Sequence, residues 1–168
     1  MSFFITTPIY YVNDVPHIGH AYTTIACDIF ARFNKLKNED TFFLTGTDEH
    51  GQKVEKAALA QNKDTQIFVD EMSTNFRDLV PYLGCDNDDF IRTTDNKHKS
   101  AAQFLWNKLK SNNQIYLSNY EGWYSIRDEA FYQESELTKT ENGFVAPSGA
   151  PVEWVKEESY FFKLSEWE

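Results

Sequence analysis

Cysteine is scarce: Cys27 and Cys85 are the two in 168 residues, far apart and in no Cys-x-x-Cys pattern. A disulfide framework is therefore not expected, and a reducing cytosol is the natural home, so a cytoplasmic protein is expected. Long apolar runs are missing too. No stretch approaches the ~20 apolar residues that cross a bilayer, so no membrane segment is predicted. The start, Met1-Ser2-Phe3-Phe4-Ile5-Thr6-Thr7-Pro8, lacks the basic region of a signal peptide. Positive charge is in deficit, with 16 Lys and Arg against 26 Asp and Glu and a net charge of -10. That argues against gripping nucleic acid by bulk charge and leaves room for a local basic patch, for which Lys108, Lys110 and Lys139 stand out by charge alone. Gly-x-Gly-x-x-Gly and the P-loop pattern are both absent, as are internal repeats and low-complexity segments.

What is present is the composition of a globular chain: 41% hydrophobic, 25% charged and 16% aromatic. Phe3 to Thr7 reads as a short buried strand stopped by Pro8. Apolar residues at Ile18, Tyr22, Ile25, Ile29, Phe33 and Leu36 recur in steps of three and four, one stripe of an amphipathic helix. Thr41 to Thr45 is a second strand ending in the polar turn Gly46-Thr47-Asp48-Glu49-His50-Gly51, with a helix from Gln52 to Ala60. Strand, helix, strand makes a βαβ unit and predicts parallel pairing. Asp64 can cap a helix with its stripe at Phe68, Met72, Phe76 and Leu79, which Pro81 tightens or ends and Gly84 closes. Phe90 to Thr93 is a third strand. A further helix follows Asp95, with Ala102, Leu105 and Leu109 inward. From Gln114 the texture turns to strands and turns, with a hairpin signal at Asn142-Gly143. The expectation is an α/β region over 1–113 and a mostly β insertion over 114–168. The end at Glu168 carries no terminal signal, and the chain reads as cut from a longer one.

The chemistry concentrates at Pro8-Ile9-Tyr10-Tyr11-Val12-Asn13-Asp14-Val15-Pro16-His17-Ile18-Gly19-His20. In open parallel sheets ligands bind beyond the carboxyl ends of the strands, which is where this stretch falls. The helix N-terminus offers free N–H groups and a positive dipole to phosphate. His17 and His20 are one turn apart and face the same way. Both can donate to a phosphate that gains charge in a transition state, while Gly19 lets a base or ribose approach the backbone. A zinc reading of the pair is weaker, because helical metal histidines favour i, i+4 spacing with a carboxylate. The turn at Asp48, Glu49 and His50 follows the neighbouring strand. It reads either as a carboxylate site for an ammonium group or as a capping cluster for the next helix.

His17-Ile18-Gly19-His20 is the HIGH signature of class I aminoacyl-tRNA synthetases, and alone it leaves several synthetases and related nucleotidyltransferases open. Thr6-Thr7-Pro8-Ile9-Tyr10-Tyr11-Val12-Asn13, Pro16-His17-Ile18-Gly19-His20 and Gly46-Thr47-Asp48-Glu49-His50-Gly51-Gln52-Lys53 together resemble the bacterial methionyl-tRNA synthetases over essentially the whole chain. The resemblance implies the first half of a Rossmann-like parallel sheet (HUP type), followed by an incomplete connective insertion. It implies ATP-dependent activation of methionine to methionyl-adenylate, then transfer to tRNA(Met). By position, His17 and His20 would be catalytic, with Asn13, His17, Gly19 and His20 binding ATP. Ile9, Tyr11 and Asp48 would bind methionine, and Mg²⁺ would arrive with ATP. The family's zinc knuckles of paired cysteines have no counterpart in Trp123-Tyr124-Ser125-Ile126-Arg127-Asp128-Glu129-Ala130-Phe131-Tyr132. No zinc is predicted, and aromatic packing should hold the insertion. The KMSKS loop, the second half of the nucleotide-binding fold and the anticodon-binding domain are not among these residues. The chain alone is expected to be inactive; the alternatives are a truncated paralogue that binds nucleotide, amino acid or protein without catalysis, or another class I synthetase.

Overall fold

A computed structural model describes residues 2–140 and 143–168. The chain divides into two compact units, Met1–Gln103 and Phe104–Glu168. The first opens with β1 (Ser2–Thr6), β2 (Tyr10–Tyr11) and α1 (Ile18–Leu36). It continues through β3 (Asp40–Asp48), α2 (Gln52–Ala60), α3 (Thr65–Tyr82) and β4 (Asp89–Arg92) into α4 (Asn96–Ser111), which runs on into the second unit.

All pairings in the first sheet are parallel, as the βαβ reading predicts. The nine-residue β3 is its spine. Its first half, Asp40 to Leu44, pairs with β1, and Thr47 and Asp48 pair with β2. Leu44 to Thr47 pair with β4 on the opposite edge. β1 and β2 are thus one line of strand interrupted at Pro8, where the missing N–H of proline breaks the ladder. β2 itself was not legible in the sequence, because two residues carry no period.

Two clusters make the core. Tyr10 and Val12 pack with Val54 and Ala58 of α2 and with Phe68, Val69 and Phe76 of α3. Cys27 and Ala31 of α1 pack on Phe43, with Ile5 beside them. α3 ends as its sequence suggests. Pro81 is tolerated in the last turn, and Gly84, at φ +70°, lets the Cys85 N–H reach the Val80 carbonyl.

Burial departs from expectation on three elements. The buried face of α1 is Ala21, Thr24, Cys27, Asp28, Ala31 and Asn34. The large apolar stripe points away, with Ile18 86% and Ile29 59% exposed. Small residues allow the helix to lie close on the sheet, so residue size, not hydropathy, marks its inner face. The outer face of β1 is likewise open: Phe4 stacks on Phe42 at 5.9 Å, and both are exposed. On α4, Ala102 and Leu105 are exposed rather than inward, and Leu109 is half-buried.

The second unit is antiparallel. β5 (Ile115–Ser125) pairs along its length with β9 (Glu153–Phe162) and at its end with β6 (Ala130–Tyr132). β7 (Thr138–Thr140) and β8 (Gly143–Val145) form a hairpin, whose predicted turn residue Asn142 lies outside the described residues. The expected aromatic packing is there: Tyr120 and Tyr124 meet Phe131, and Trp123 meets Phe144 and Trp154. Among the described residues, no helix is long and apolar enough to cross a membrane.

Candidate functional site

An open cleft of about 620 Å³ lies over the break between β1 and β2 and the start of α1. Ile9, Tyr11, Asn13, His17, Gly19 and His20 all line it, so six of the seven residues singled out from the sequence converge. Asp48 does not line it. The ladder sets Asp48 beside Tyr11, and residues paired in parallel register leave the sheet on the same face.

The two histidines build the helix start themselves. His17 is the N-cap of α1, and its Nδ1 accepts from the Gly19 N–H at 3.1 Å. In return His20 Nδ1 accepts from the His17 N–H at 3.0 Å. This is a capping box made of imidazoles instead of Ser and Glu. A backbone N–H can only donate, so both Nδ1 atoms must be bare. The proton of each neutral ring then sits on Nε2, and each ring presents one Nε2–H donor. Two of the backbone donors at the helix start, the Gly19 and His17 amides, are spent on the rings. A phosphate at this helix start would meet imidazole N–H groups.

Gly19 also has a reason within the protein itself. A Cβ there would lie 2.9 Å from His17 Cε1 and 3.1 Å from Nδ1. The glycine leaves room for the folded-back ring of its own neighbour.

Three aromatic contacts hold His20 in place. Its ring lies 3.9 Å from that of His17, and meets Tyr10 edge-on at 4.7 Å and Phe76 at 5.1 Å, centroid to centroid. Tyr10, 7% exposed, ties its hydroxyl to Thr24 Oγ1 at 3.0 Å. Burial, and then the neighbouring His17, push the His20 imidazole below its ordinary pKa of 6.5. Both causes favour the neutral ring that the cap requires.

The turn after β3 is the second feature, and it does not cap the next helix. The N-cap of α2 is Gly51, at φ 106°. Glu49, buried with its side chain fully covered, accepts from Arg92 Nε at 2.7 Å and Nη2 at 2.9 Å. It also accepts from Thr47 Oγ1 at 2.7 Å and from the Thr94 hydroxyl. Thr93 Oγ1 takes the Glu49 N–H at 2.9 Å and lies 3.1 Å from His50 Nδ1. Arg92 reaches further to Asp70 at 2.5 Å. Hydrogen bonding to Glu49 holds the guanidinium above its ordinary pKa, against the opposing effect of burial, with Asp70 adding to the rise. Sequence reasoning missed Arg92, Thr93 and Thr94. The available signal was a charged residue followed by two threonines at the carboxyl end of a parallel strand.

Elsewhere, Asp128 fastens the segment 123–132 of the second unit. It accepts from the hydroxyls of Tyr132, at 3.1 Å, and Ser148, while its N–H donates to Ser125 Oγ at 3.2 Å. Among the described residues, no group of three or more His, Cys, Asp or Glu is placed to hold a metal ion.

Comparison with known proteins matches residues 3–168 to the family described as tRNA synthetases class I (M). The methionine–tRNA ligase of Rickettsia prowazekii is 61% identical over 167 residues, which is 99% of this chain and 32% of that protein. That of Mesorhizobium japonicum is 49% identical over 165 residues, again 32% of its length. Among solved structures, Mycobacterium tuberculosis methionyl-tRNA synthetase bound by methionyl-adenylate is 44% identical with a TM-score of 0.91. That match covers 99% of this chain and 33% of the other. The chain spans about a third of the length of the curated relatives it matches.

Proposed function

This chain belongs to the class I tRNA synthetases (M), and on that premise we propose that it is the N-terminal part of a methionine–tRNA ligase. The reaction is activation of methionine by ATP to methionyl-adenylate, followed by transfer to tRNA(Met), in the cytoplasm where translation takes place. In the first step a methionine carboxylate oxygen bonds to the α-phosphorus as the bond to pyrophosphate breaks. In the second, a hydroxyl of the terminal adenosine of the tRNA takes the methionyl group and AMP leaves.

The observation that carries this reading is the reciprocal imidazole cap that lines the cleft. It fixes two rings 3.9 Å apart with their Nε2–H donors set in advance. Such donors cost no reorganisation when phosphate oxygens gain charge, which is the main source of catalysis in displacement at phosphorus. His17 and His20 are assigned to the ATP phosphates, with Asn13 and Gly19 on the nucleotide side. Ile9 and Tyr11 line the same cleft and are assigned to the methionine side chain. An aromatic edge suits a thioether and contributes about 0.3–1.5 kcal/mol. Asp48, beside Tyr11 in the ladder, is assigned to the ammonium group. Mg²⁺ enters with the ATP phosphates, and no residue here is assigned to it.

The test is methionine-dependent exchange of labelled pyrophosphate into ATP by the full-length protein that carries this chain. Exchange should require methionine and collapse in His17→Asn and His20→Asn. Exchange driven by another amino acid, or equal activity in both variants, would refute the assignment.

A further inference from the structure

Glu49 and Asp48 are adjacent carboxylates in opposite circumstances. Glu49 is fully covered and saturated by Arg92 and two threonine hydroxyls. Asp48 is half-buried, and its carboxylate has no hydrogen bond or ion pair among the described residues. Successive residues leave a strand on opposite faces. The ladder pairs Thr47 with Arg92 on one side of β3 and Asp48 with Tyr11 on the other. Whatever fixes Glu49 therefore fixes the backbone from which Asp48 projects toward the face of Tyr11.

We propose that Arg92 and Glu49 are positioning residues for amino-acid recognition: their buried, forked pair locks the turn from Thr47 to His50 so that Asp48 is presented, unpaired, to the substrate ammonium. This rests on the function proposed above. The choice of residues supports it. A buried ion pair gains little stability over apolar side chains of the same volume. What a two-pronged guanidinium–carboxylate contact does supply is a fixed orientation, which lysine cannot reproduce. Thr93 extends the lock by taking the Glu49 N–H and touching His50 Nδ1. The Arg92–Asp70 contact ties the same guanidinium to α3, so the turn is held from β4 and from a helix at once.

The test uses the full-length protein carrying this chain and three ligands: methionine, methioninol (ammonium, no carboxylate) and 4-(methylthio)butanoate (carboxylate, no ammonium). Removing one charge alone would leave its partner buried and unpaired, so the variants are Arg92→Lys and the apolar double replacement E49M/R92M. Thermal melts establish that they fold, and should the double variant fail to fold, Arg92→Lys decides. In either variant Kd for methionine and methioninol should rise by about tenfold or more, as expected when a binding group is displaced by about an ångström. Kd for the des-amino acid should stay unchanged. KM for methionine should rise with KM for ATP unaltered, and adding Asp48→Asn should produce no further loss. Equal weakening of all three ligands, or unchanged methionine affinity in a folded variant, would overturn the proposal. If the unmutated protein binds no methionine, the functional reading has failed instead.

Discussion

Replacing Gly19 by Ala separates what the opening of α1 does for stability from what it does for chemistry. The added Cβ would lie 2.9 Å from His17 Cε1 and 3.1 Å from Nδ1. The ring must swing away by several tenths of an ångström, and the bond from the Gly19 N–H, 3.1 Å long, is lost. Losing a cap of this kind costs about 1 kcal/mol. Glycine inside a helix is itself about 1 kcal/mol worse than alanine, so the substitution returns a similar amount. The two nearly cancel, and thermal melts should place the variant close to the parent. Activity should not survive so well. A displaced His17 no longer aims its Nε2–H at the cleft, and a lost oxyanion-type donor costs about 2.7–4 kcal/mol, or 10²–10³ in kcat. The assay is methionine-dependent pyrophosphate exchange by the full-length protein, run beside melts of the same preparations. Gly19→Ala combined with His17→Ala should be no worse than His17→Ala alone, because both remove one donor. A variant with near-parent exchange, or one whose exchange falls only because it melts, would refute the reasoning.

Gly46→Ala should be severe for a different reason: its Cβ would lie 2.0 Å from the Ile91 carbonyl oxygen, a backbone atom that cannot step aside, so β3 and β4 must part. A loss of roughly 1–3 kcal/mol or more in urea melts is expected, and a neutral result would contradict the close approach. On α1, Ala31→Leu should destabilise by roughly 1–3 kcal/mol, since Ala31 is 1% exposed against Phe43, whereas Ile29→Ser, at a site 59% exposed, should stay within about 0.5 kcal/mol and improve solubility of the 168-residue chain. His20 holds its proton less readily folded than unfolded, so its contribution to stability is complete above about pH 6.5 and declines as pH falls through the lowered folded value. Urea midpoints between about pH 5 and pH 7 should therefore slope less in His20→Gln than in the parent, and equal slopes would remove His20 as the source. The 168-residue chain by itself should form no methionyl-adenylate, and detectable pyrophosphate exchange by it would contradict that expectation.

The sequence made the βαβ order, the helix limits and the cleft residues readable, because each was written locally. A stripe with a 3.6 period located α1, Pro8 marked the break in strand, and His17, Gly19 and His20 sat together along the chain. What escaped depended on neighbours distant in sequence. Which face of α1 is buried follows from how closely Ala31 and Cys27 approach Phe43, and hydropathy pointed the other way. The Glu49 pair joins residues 43 positions apart, so in the sequence the turn stayed open between a carboxylate site and a capping cluster. The reason for Gly19 was local but conformational: nothing in the letters His-Ile-Gly says that the histidine ring folds back over the glycine.

The break between β1 and β2 also sets a genetic hazard. Tyr10 and Tyr11 are identical letters with opposite tasks, one 7% exposed in the core and the other 42% exposed at the cleft. Deleting Ile9 would slide the chain by one place, and a one-residue slip turns every side chain to the other face. Tyr11 would then drop into the core slot of Tyr10, where a tyrosine fits, and Val12 would stand where the cleft needs a ring. Asn13 would follow into the fully buried place of Val12, so such a lesion would show in a screen for abundance as well as in one for growth.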